Sequence, residues 1–392
     1  MATYEFRSPK SEAEVDGISN ILAEAFAAPM DALQDRIKDL GKENVCALFD
    51  GPKPVGGLWL IHKGQWFGGN AVPMAGVGAV GIATEARGHG AAHALMSSTV
   101  NMLHDEGVAL SALFPASRRL YQKSGYDLAG TRFQIEAQTR DLRHKADRTL
   151  TVRNVTQDDQ AQLHATYTRM ARNFNGLLDR HEFHWSRVFE FKGEPARGYG
   201  IFRGDELVAY TFIVHRSAGL AGYNLFLTDL VYTDRPSAER LIRLLADHSS
   251  LGREVMWFGS PTDPLLSLLP ENHYKVTLHF EWMIRLTHVQ KALELRGYPK
   301  ALSLSLDLEV DDDIIEGNKG RVRLEIEGGK AKVSPGGSGD LRIHVRQLAS
   351  LYSGFRSPKE LAMMGLIEGD EASMDAARAA FAGSPPFLGD MF

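Results

Sequence analysis

The sequence holds a single cysteine, Cys46, in 392 residues. One thiol can form neither an intramolecular disulfide nor a cysteine-rich metal site, so a reducing, cytoplasmic setting is expected. Cys46 lies in the apolar run Val45-Cys46-Ala47-Leu48-Phe49 and reads as a small buried residue, because a reactive thiolate needs a partly exposed, electropositive environment. An excess of basic charge is also missing. The 44 Lys and Arg against 49 Asp and Glu leave a net −5, which argues against nucleic acid or an anionic membrane as partner and mildly suits a cationic substrate. No run approaches about 18 consecutive apolar residues, so no transmembrane helix is expected. Residues 1–16 alternate charged and polar side chains without an apolar segment, which predicts no signal peptide. The remaining composition, 44% hydrophobic and 24% charged, gives each of two or three domains enough apolar matter for a core.

Hydrophobic periodicity then orders the chain. Ser11-Glu12-Ala13-Glu14 has the form of a capping box, and Val15, Ile18, Leu22 and Phe26 follow at helical spacing. Strands are expected at 45–49, 55–61, 76–83 and 110–114, a helix at 90–106 and a short helix at 118–123, an α/β order with a helix inserted after a central strand. A second unit from about Leu150 repeats this pattern, with strands at 199–202, 207–214 and 226–233 and a helix at 241–245. A third begins near Gly297, where Leu302, Leu304, Leu306, Leu308 and Val310 alternate with polar residues as in a half-buried strand. Helices are expected at 346–354 and 371–382. The chain ends Pro385-Pro386-Phe387-Leu388-Gly389-Asp390-Met391-Phe392, apolar for a terminus, so this tail is expected to pack against the body.

Gly76-Val77-Gly78-Ala79-Val80-Gly81 has the spacing G-x-G-x-x-G, but its glycines lie within an apolar strand, whereas a dinucleotide site needs them in the turn that opens a helix. The turn itself is Arg87-Gly88-His89-Gly90-Ala91-Ala92, of the form R-x-x-G-x-[GA], between a strand and a helix. A helix N-terminus leaves N–H groups unpaired and carries partial positive charge, which suits a pyrophosphate. The alternative is an ordinary small-residue turn packed under a helix. Upstream, Val80, Gly81 and Ile82 can offer a strand edge on which the amides of a pantetheine arm would pair. Downstream, Leu120-Tyr121-Gln122-Lys123-Ser124-Gly125-Tyr126 supplies a tyrosine able to protonate a departing thiolate, the alternative for Tyr121 being a core aromatic.

The strand, the loop and the later L-Y-x-K-x-G-Y together resemble the GNAT acetyltransferase superfamily. The resemblance implies acetyl-CoA held by Val80, Gly81, Ile82, Arg87, Gly88, His89, Gly90, Ala91 and Ala92, with Tyr121 as general acid, Tyr126 as a structural residue and no metal. The three-unit layout, over essentially the full length, resembles the enhanced-intracellular-survival (Eis) family. That resemblance implies an α/β (α+β) architecture: a catalytic GNAT domain at 1–145, a degenerate GNAT-like domain at 146–290 and a sterol-carrier-protein-like domain at 291–392. It also implies a homo-oligomer, a hexamer in that family, and primary-amine acceptors including aminoglycoside antibiotics. By the same resemblance the carboxylate of the C-terminal residue, here Phe392, is expected to serve as general base. The second unit is expected to be dead as a CoA site, since Pro236 and Glu239 stand where Arg87 and Gly90 stand in the first.

Phe26, Trp66 and Asp390 are candidate acceptor-cleft residues. The two aromatics are equally good core residues, and Asp390 could hold a cationic amine. His181 and His184 are expected to be incidental, and Asp311-Asp312-Asp313 to form a solvated turn, since a calcium loop needs a longer ligand pattern. Competing readings are an acetyltransferase of protein lysine, polyamine or metabolite amines, and a non-catalytic acyl-CoA or lipid binder.

Overall fold

The structure, a computed structural model, describes residues 4–142 and 149–391; the expected 145/146 boundary and Phe392 lie outside the described residues. The first helix, Glu12–Phe26, is capped by Ser11, whose side chain accepts the Glu14 N–H at 3.3 Å. Glu14 does not close the capping box. Its carboxylate instead takes the Lys10 N–H at 2.6 Å and both arms of Arg7 at 2.8 Å. Val15, Ile18 and Leu22 are buried, while Phe26, at the end of the same stripe, is 52% exposed.

The strands expected at 55–61 and 76–83 are the central parts of a much longer hairpin, Lys53–Phe67 and Asn70–Ile82. Gly68 and Gly69 turn it at φ 61° and 90°, backbone that other residues adopt only with strain. Helix Ala91–Asp105 follows, with Leu95, Thr99 and Leu103 fully buried against the sheet.

One large sheet runs through both expected acetyltransferase units. Its order is Glu5–Arg7, Val45–Asp50, Lys53–Phe67, Asn70–Ile82, Leu110–Leu113, Tyr274–Leu286, Asp127–Gln138, Gly252–Gly259, Tyr223–Tyr232, Glu206–Ser217, Arg197–Arg203 and Thr151–Val155. The units are interleaved at the centre of this sheet. Tyr274–Leu286, late in the second unit, lies between Leu110–Leu113 and Asp127–Gln138 of the first, which in turn pairs with Gly252–Gly259. Strand pairing is thus not divided at any one sequence boundary. Repetition in the sequence reveals the two halves but not this exchange, because register is decided by edges remote in sequence.

A second, five-stranded sheet has the order Lys330–Pro335, Gly320–Glu327, Ser303–Asp311, Leu341–His344 and Ile367–Gly369. Helices Val345–Ser353 and Glu371–Ala380 pack on it. Helix Pro358–Met363, with a capping box from Ser357 and Glu360, escaped the sequence reading because six residues show too little period. Helix Val289–Leu295 straddles the expected 290/291 boundary, and the apolar core there runs unbroken from Phe67 and Trp282 to Leu308 and Phe381.

The Asp311–Asp313 run is not simply a solvated turn. Asp311 and Asp313 are exposed, but Asp312 is 1% exposed and accepts both carboxylate bonds from Arg285, itself fully buried, at 2.5 and 2.7 Å. Asn318 and the Ile314 and Ile315 N–H groups complete its shell. This pair ties the second sheet to the strand exchanged between the two halves.

Candidate active site

Strand Asn70–Ile82 has two different edges. On one it pairs with Lys53–Phe67 as far as Ile82; on the other it pairs with Leu110–Leu113 only through Met74, Ala75 and Gly76. From Val77 onward the two parallel strands diverge, leaving an open edge. Here Gly81 faces Gly57 and Gly78 faces Trp59, so Ala79 and Val80 stand opposite Leu58 alone, a β-bulge with Ala79 at φ 48°. A Cβ at Gly78 would lie 2.1 Å from Trp59 Nε1, so any larger residue there requires the indole to move. The bulge re-aims the backbone of Val80–Ile82 into the gap, which is the geometry a pantetheine arm needs to pair as a pseudo-strand.

The turn after this strand prepares an anion site. Thr84–Ala86 makes a short 3-10 turn, and Gly88 (φ 80°) and Gly90 (φ 87°) take left-handed backbone leading into helix Ala91–Asp105. A Cβ at either glycine would meet nothing within 4 Å, so glycine is required there by conformation and not by packing. Gly90 is the N-cap and supplies no side-chain hydrogen bond, and the first turn carries no acid. The leading N–H groups therefore face the space in front of the helix with the partial positive charge of its end. Arg87 folds back so that its Nε donates to the Ile82 carbonyl at 3.1 Å, which fixes the guanidinium at the end of the open strand.

Ile82, Ala86, Arg87, Gly88, Gly90, Ala91 and Ala92 together form one wall of an open groove of about 490 Å³. The opposite wall was not assigned from the sequence. It is Ser117, Arg119, Leu120 and Lys123, from the short helix Arg118–Gln122 and its end. The signal was present in the basic position of L-Y-x-K-x-G-Y, but only the fold turns that helix toward the loop. Val80, Gly81 and His89 lie outside this wall, the first two on the open strand and His89 exposed between the glycines.

Tyr121 is 6% exposed and its ring meets that of Tyr126 edge-on at 6.3 Å. Burial raises its hydroxyl above the usual phenol value, so it stays protonated at neutral pH, the form a proton donor needs. Tyr126 is fully buried and bonds Ser111 Oγ at 2.7 Å, while that hydroxyl donates to the Ala75 carbonyl. It thereby pins the paired segment one residue before the strands diverge. Cys46 is buried and its thiol is pushed up to about 12, which removes it as a nucleophile.

The second half carries the same strand–turn–helix with the anion site closed. Asp234 caps helix Arg235–Ala246 by accepting the Ser237 N–H at 3.0 Å in a full capping box, Pro236 removes another N–H, and Glu239 pairs with Arg235. A carboxylate occupies the place a phosphate would need.

The apolar tail does pack. Thr131 pairs with Phe387, the Leu388 N–H donates to the Thr131 carbonyl at 3.1 Å, and Leu388 is fully buried. Asp390 does not offer a free carboxylate for an amine. It accepts two bonds from Arg180 at 3.0 and 3.1 Å, and Arg180 holds Asp229 with its remaining donors. Burial alone would raise the Asp390 carboxyl; Arg180, His184 and Arg132 outweigh it and hold it low. Trp66 is 7% exposed in the core of the second half, whereas Phe26 stands exposed one turn beyond Leu22, which packs on Gly81 of the open strand.

A buried basic cluster beside the tail went unrecognised in the sequence. His184, expected to be incidental, is 1% exposed with Nε2 3.0 Å from Lys63 Nζ. Burial pushes the Lys63 ammonium down to about 6 and His184 down to about 3. Elsewhere, Asp311, Asp313 and His344 bring three ligating atoms within 4.8 Å of one another on the second sheet, at some distance in sequence from any residue of the groove. Among the described residues no helix is long and apolar enough to cross a membrane.

A splayed pair of parallel strands with a bulge, closed by an uncapped helix N-terminus and basic walls, defines an acyl-CoA-dependent acyltransferase. Residues 5–129 and 176–286 match acetyltransferase (GNAT) domain families, and residues 289–389 match a sterol carrier protein domain. A GCN5-related N-acetyltransferase from Anabaena variabilis is 33% identical, with a TM-score of 0.93 over 100% of both chains. A second, from Kribbella flavida, is 27% identical with a TM-score of 0.85, covering 100% of this chain and 99% of its own. N-acetyltransferase Eis of Mycobacterium tuberculosis is 27% identical over 338 residues, 80% of this chain and 79% of its own. The chain belongs to the GCN5-related N-acetyltransferases, in the Eis-like group that joins two such domains to a sterol carrier domain. Its co-substrate is accordingly acetyl-CoA and its acceptor a small molecule.

Proposed function

We propose that this enzyme transfers acetyl directly from acetyl-CoA to a primary amine, at one site within residues 1–145. Residues 146–290 serve as scaffold and cleft wall, and residues 291–392 deliver the C-terminal carboxylate. The observation that carries this reading is the asymmetry between the halves: the Gly90 helix end is uncapped and flanked by Arg87, Arg119 and Lys123, whereas the Asp234 helix end is filled by its own carboxylate.

A primary amine resembling lysine has a pKa near 10.4 and must lose a proton to attack. That first proton goes to water; as the nitrogen–carbon bond forms, the Phe392 carboxylate accepts the second proton that the nitrogen must shed, directly or through one water. Backbone N–H groups around Val80–Ile82 polarise the thioester carbonyl, the carbon–sulfur bond breaks, and Tyr121 donates a proton to the sulfur. No acetyl-enzyme forms, in keeping with a buried Cys46. The route of the tail supports the role of Phe392: strand-like pairing at Thr131 and the Arg180–Asp390 pair carry the chain to Met391, whose carbonyl accepts from Arg187 at 2.8 Å.

Aminoglycosides, a cytoplasmic location and a homo-oligomeric, hexameric assembly enter this reading from the family resemblance alone. CoA-thiol release from acetyl-CoA, measured on untagged full-length protein with amines of differing charge, tests it. Turnover that is lost on deleting Phe392 supports direct transfer with a terminal base. Tight acetyl-CoA binding with no turnover on any amine would favour a non-catalytic acyl-CoA binder, and wild-type turnover after extension of the C-terminus would remove Phe392 from the mechanism.

A further inference from the structure

Arg132 is 6% exposed, yet among the described residues it makes no hydrogen bond and no ion pair, and its Nε is buried without a partner. Its guanidinium lies 3.5 Å over the Phe258 ring. A buried guanidinium is normally paired, since removing it from water without a counter-ion is costly. The carboxylate that acts on it most strongly, Asp390, is already committed to Arg180, which it shares with Asp229. The other charged groups acting on this corner are Arg187 and Arg36, with Lys63 against His184. Arg132 and Arg187 thus outnumber the one net negative unit that Arg180 makes with its two aspartates, before the terminal carboxylate is counted.

Its position ties this corner to the acetyl-transfer cleft. Arg132 is paired across the sheet with Phe280, whose ring meets that of Phe114 at 6.0 Å. Phe114 directly follows Leu110–Leu113, the strand from which the open strand diverges. Arg132 thus stands one cross-strand pair from the Phe280–Phe114 ring contact at the mouth of the splay, with its guanidinium over Phe258. A guanidinium without a carboxylate of its own favours an anionic group beside it over a cationic one.

The geometry points to Arg132 as an anion-binding group of the acceptor pocket, so that the preferred acceptor is an amine that also carries a carboxylate. This inference rests on the acetyltransferase reading of the same cleft. A bidentate Arg–carboxylate bond orients the acceptor as well as holding it. The competing occupant is the chain's own terminal carboxylate, one residue beyond Met391.

The test is calorimetric binding of 3-phenylpropionate and 3-phenylpropionamide to the full-length CoA complex, wild type and Arg132→Gln, followed by acetylation of phenylalanine and phenylalaninamide. The binding probes lack an amine, so amine basicity does not enter. A charge-assisted bond lost for a neutral one predicts that wild type binds the acid roughly 10- to 100-fold more tightly than the amide. In Arg132→Gln the ratio falls to near one, and Arg132→Lys recovers part of it. Equal binding of acid and amide by wild type overturns the proposal. So does an Arg132→Gln variant that weakens both alike, for then Arg132 serves the tail. Should Arg132→Gln fail to fold, the wild-type ratio and the lysine variant decide. Selective acid binding without acetylation of any amine would refute the acetyltransferase reading and leave the anion subsite standing; phenylalaninamide acetylated in preference to phenylalanine at equal binding would do the opposite.

Discussion

Replacing Arg87 by alanine separates phosphate binding from chemistry. The guanidinium is exposed, and its Nε is committed to the Ile82 carbonyl at 3.1 Å, which leaves the two terminal nitrogens for a phosphate. A charge-assisted hydrogen bond contributes roughly 1.5–3 kcal/mol, and exposure to solvent reduces this toward about 1 kcal/mol. Arg87→Ala should therefore raise KM for acetyl-CoA about 5- to 10-fold and leave kcat within about 2-fold. Arg87→Lys, which keeps the charge but not the fork that reaches Ile82, should fall between them. The assay is initial-rate thiol release at saturating amine, repeated at rising salt. The Debye length falls from about 10 Å at 0.1 M to about 3 Å at 1 M, so the difference between wild type and variant should shrink. A kcat loss of ten-fold or more at unchanged KM would refute a phosphate role. A KM difference insensitive to salt would show that Arg87 acts by fastening the loop to Ile82, not by its charge.

Tyr121→Phe should lower kcat by about 10²- to 10⁴-fold with acetyl-CoA affinity kept, measured by turnover and by CoA titration, because it removes a proton donor and little packing. Asp312→Ala leaves the fully buried Arg285 unpaired and should cost about 3–5 kcal/mol, read from the urea midpoint. The same pair gives a pH dependence. Burial opposes ionisation of Asp312, but Arg285 and its other donors outweigh burial and hold the carboxyl below its usual range. Its contribution is thus fully present above the unfolded value of about 3.9 and is lost as pH falls below it, so wild-type stability should drop more steeply below pH 4 than that of the variant. Asp234→Ala removes the cap of helix Arg235–Ala246 and should cost about 1 kcal/mol; an unchanged KM for acetyl-CoA is the outcome expected of the single-site proposal.

Much of the cofactor side was legible in the chain because it is local. The R-x-x-G-x-[GA] turn, the strand before it and the helix after it are contiguous, and φ-positive glycines and an uncapped helix start follow from residue type over six positions. Pro236 and Glu239 led by the same logic to the expectation of a second copy without a CoA site, and the structure added Asp234 as the cap of that helix. Phe26 and Trp66 could not be separated by periodicity, because both continue apolar stripes; one turns out exposed beside the open strand and the other lies in the core of the second half.

By itself the sequence determined the α/β class, the repeated halves, the third unit, the glycine turn that opens an uncapped helix and the lack of a usable cysteine nucleophile, all properties of short windows with their own period or turn chemistry. Only the tertiary structure decided the exchange of Tyr274–Leu286 into the first half, the Arg285–Asp312 pair, and the meeting of Lys63 with His184, 121 residues apart. It also decided which charged groups meet beside the tail, Arg132, Arg180 and Arg187 with Asp229 and Asp390. Net charge sums over the whole surface, whereas a substrate responds to the few groups held close to it in a poorly screened cleft, and which groups those are is set by packing between strands distant in sequence.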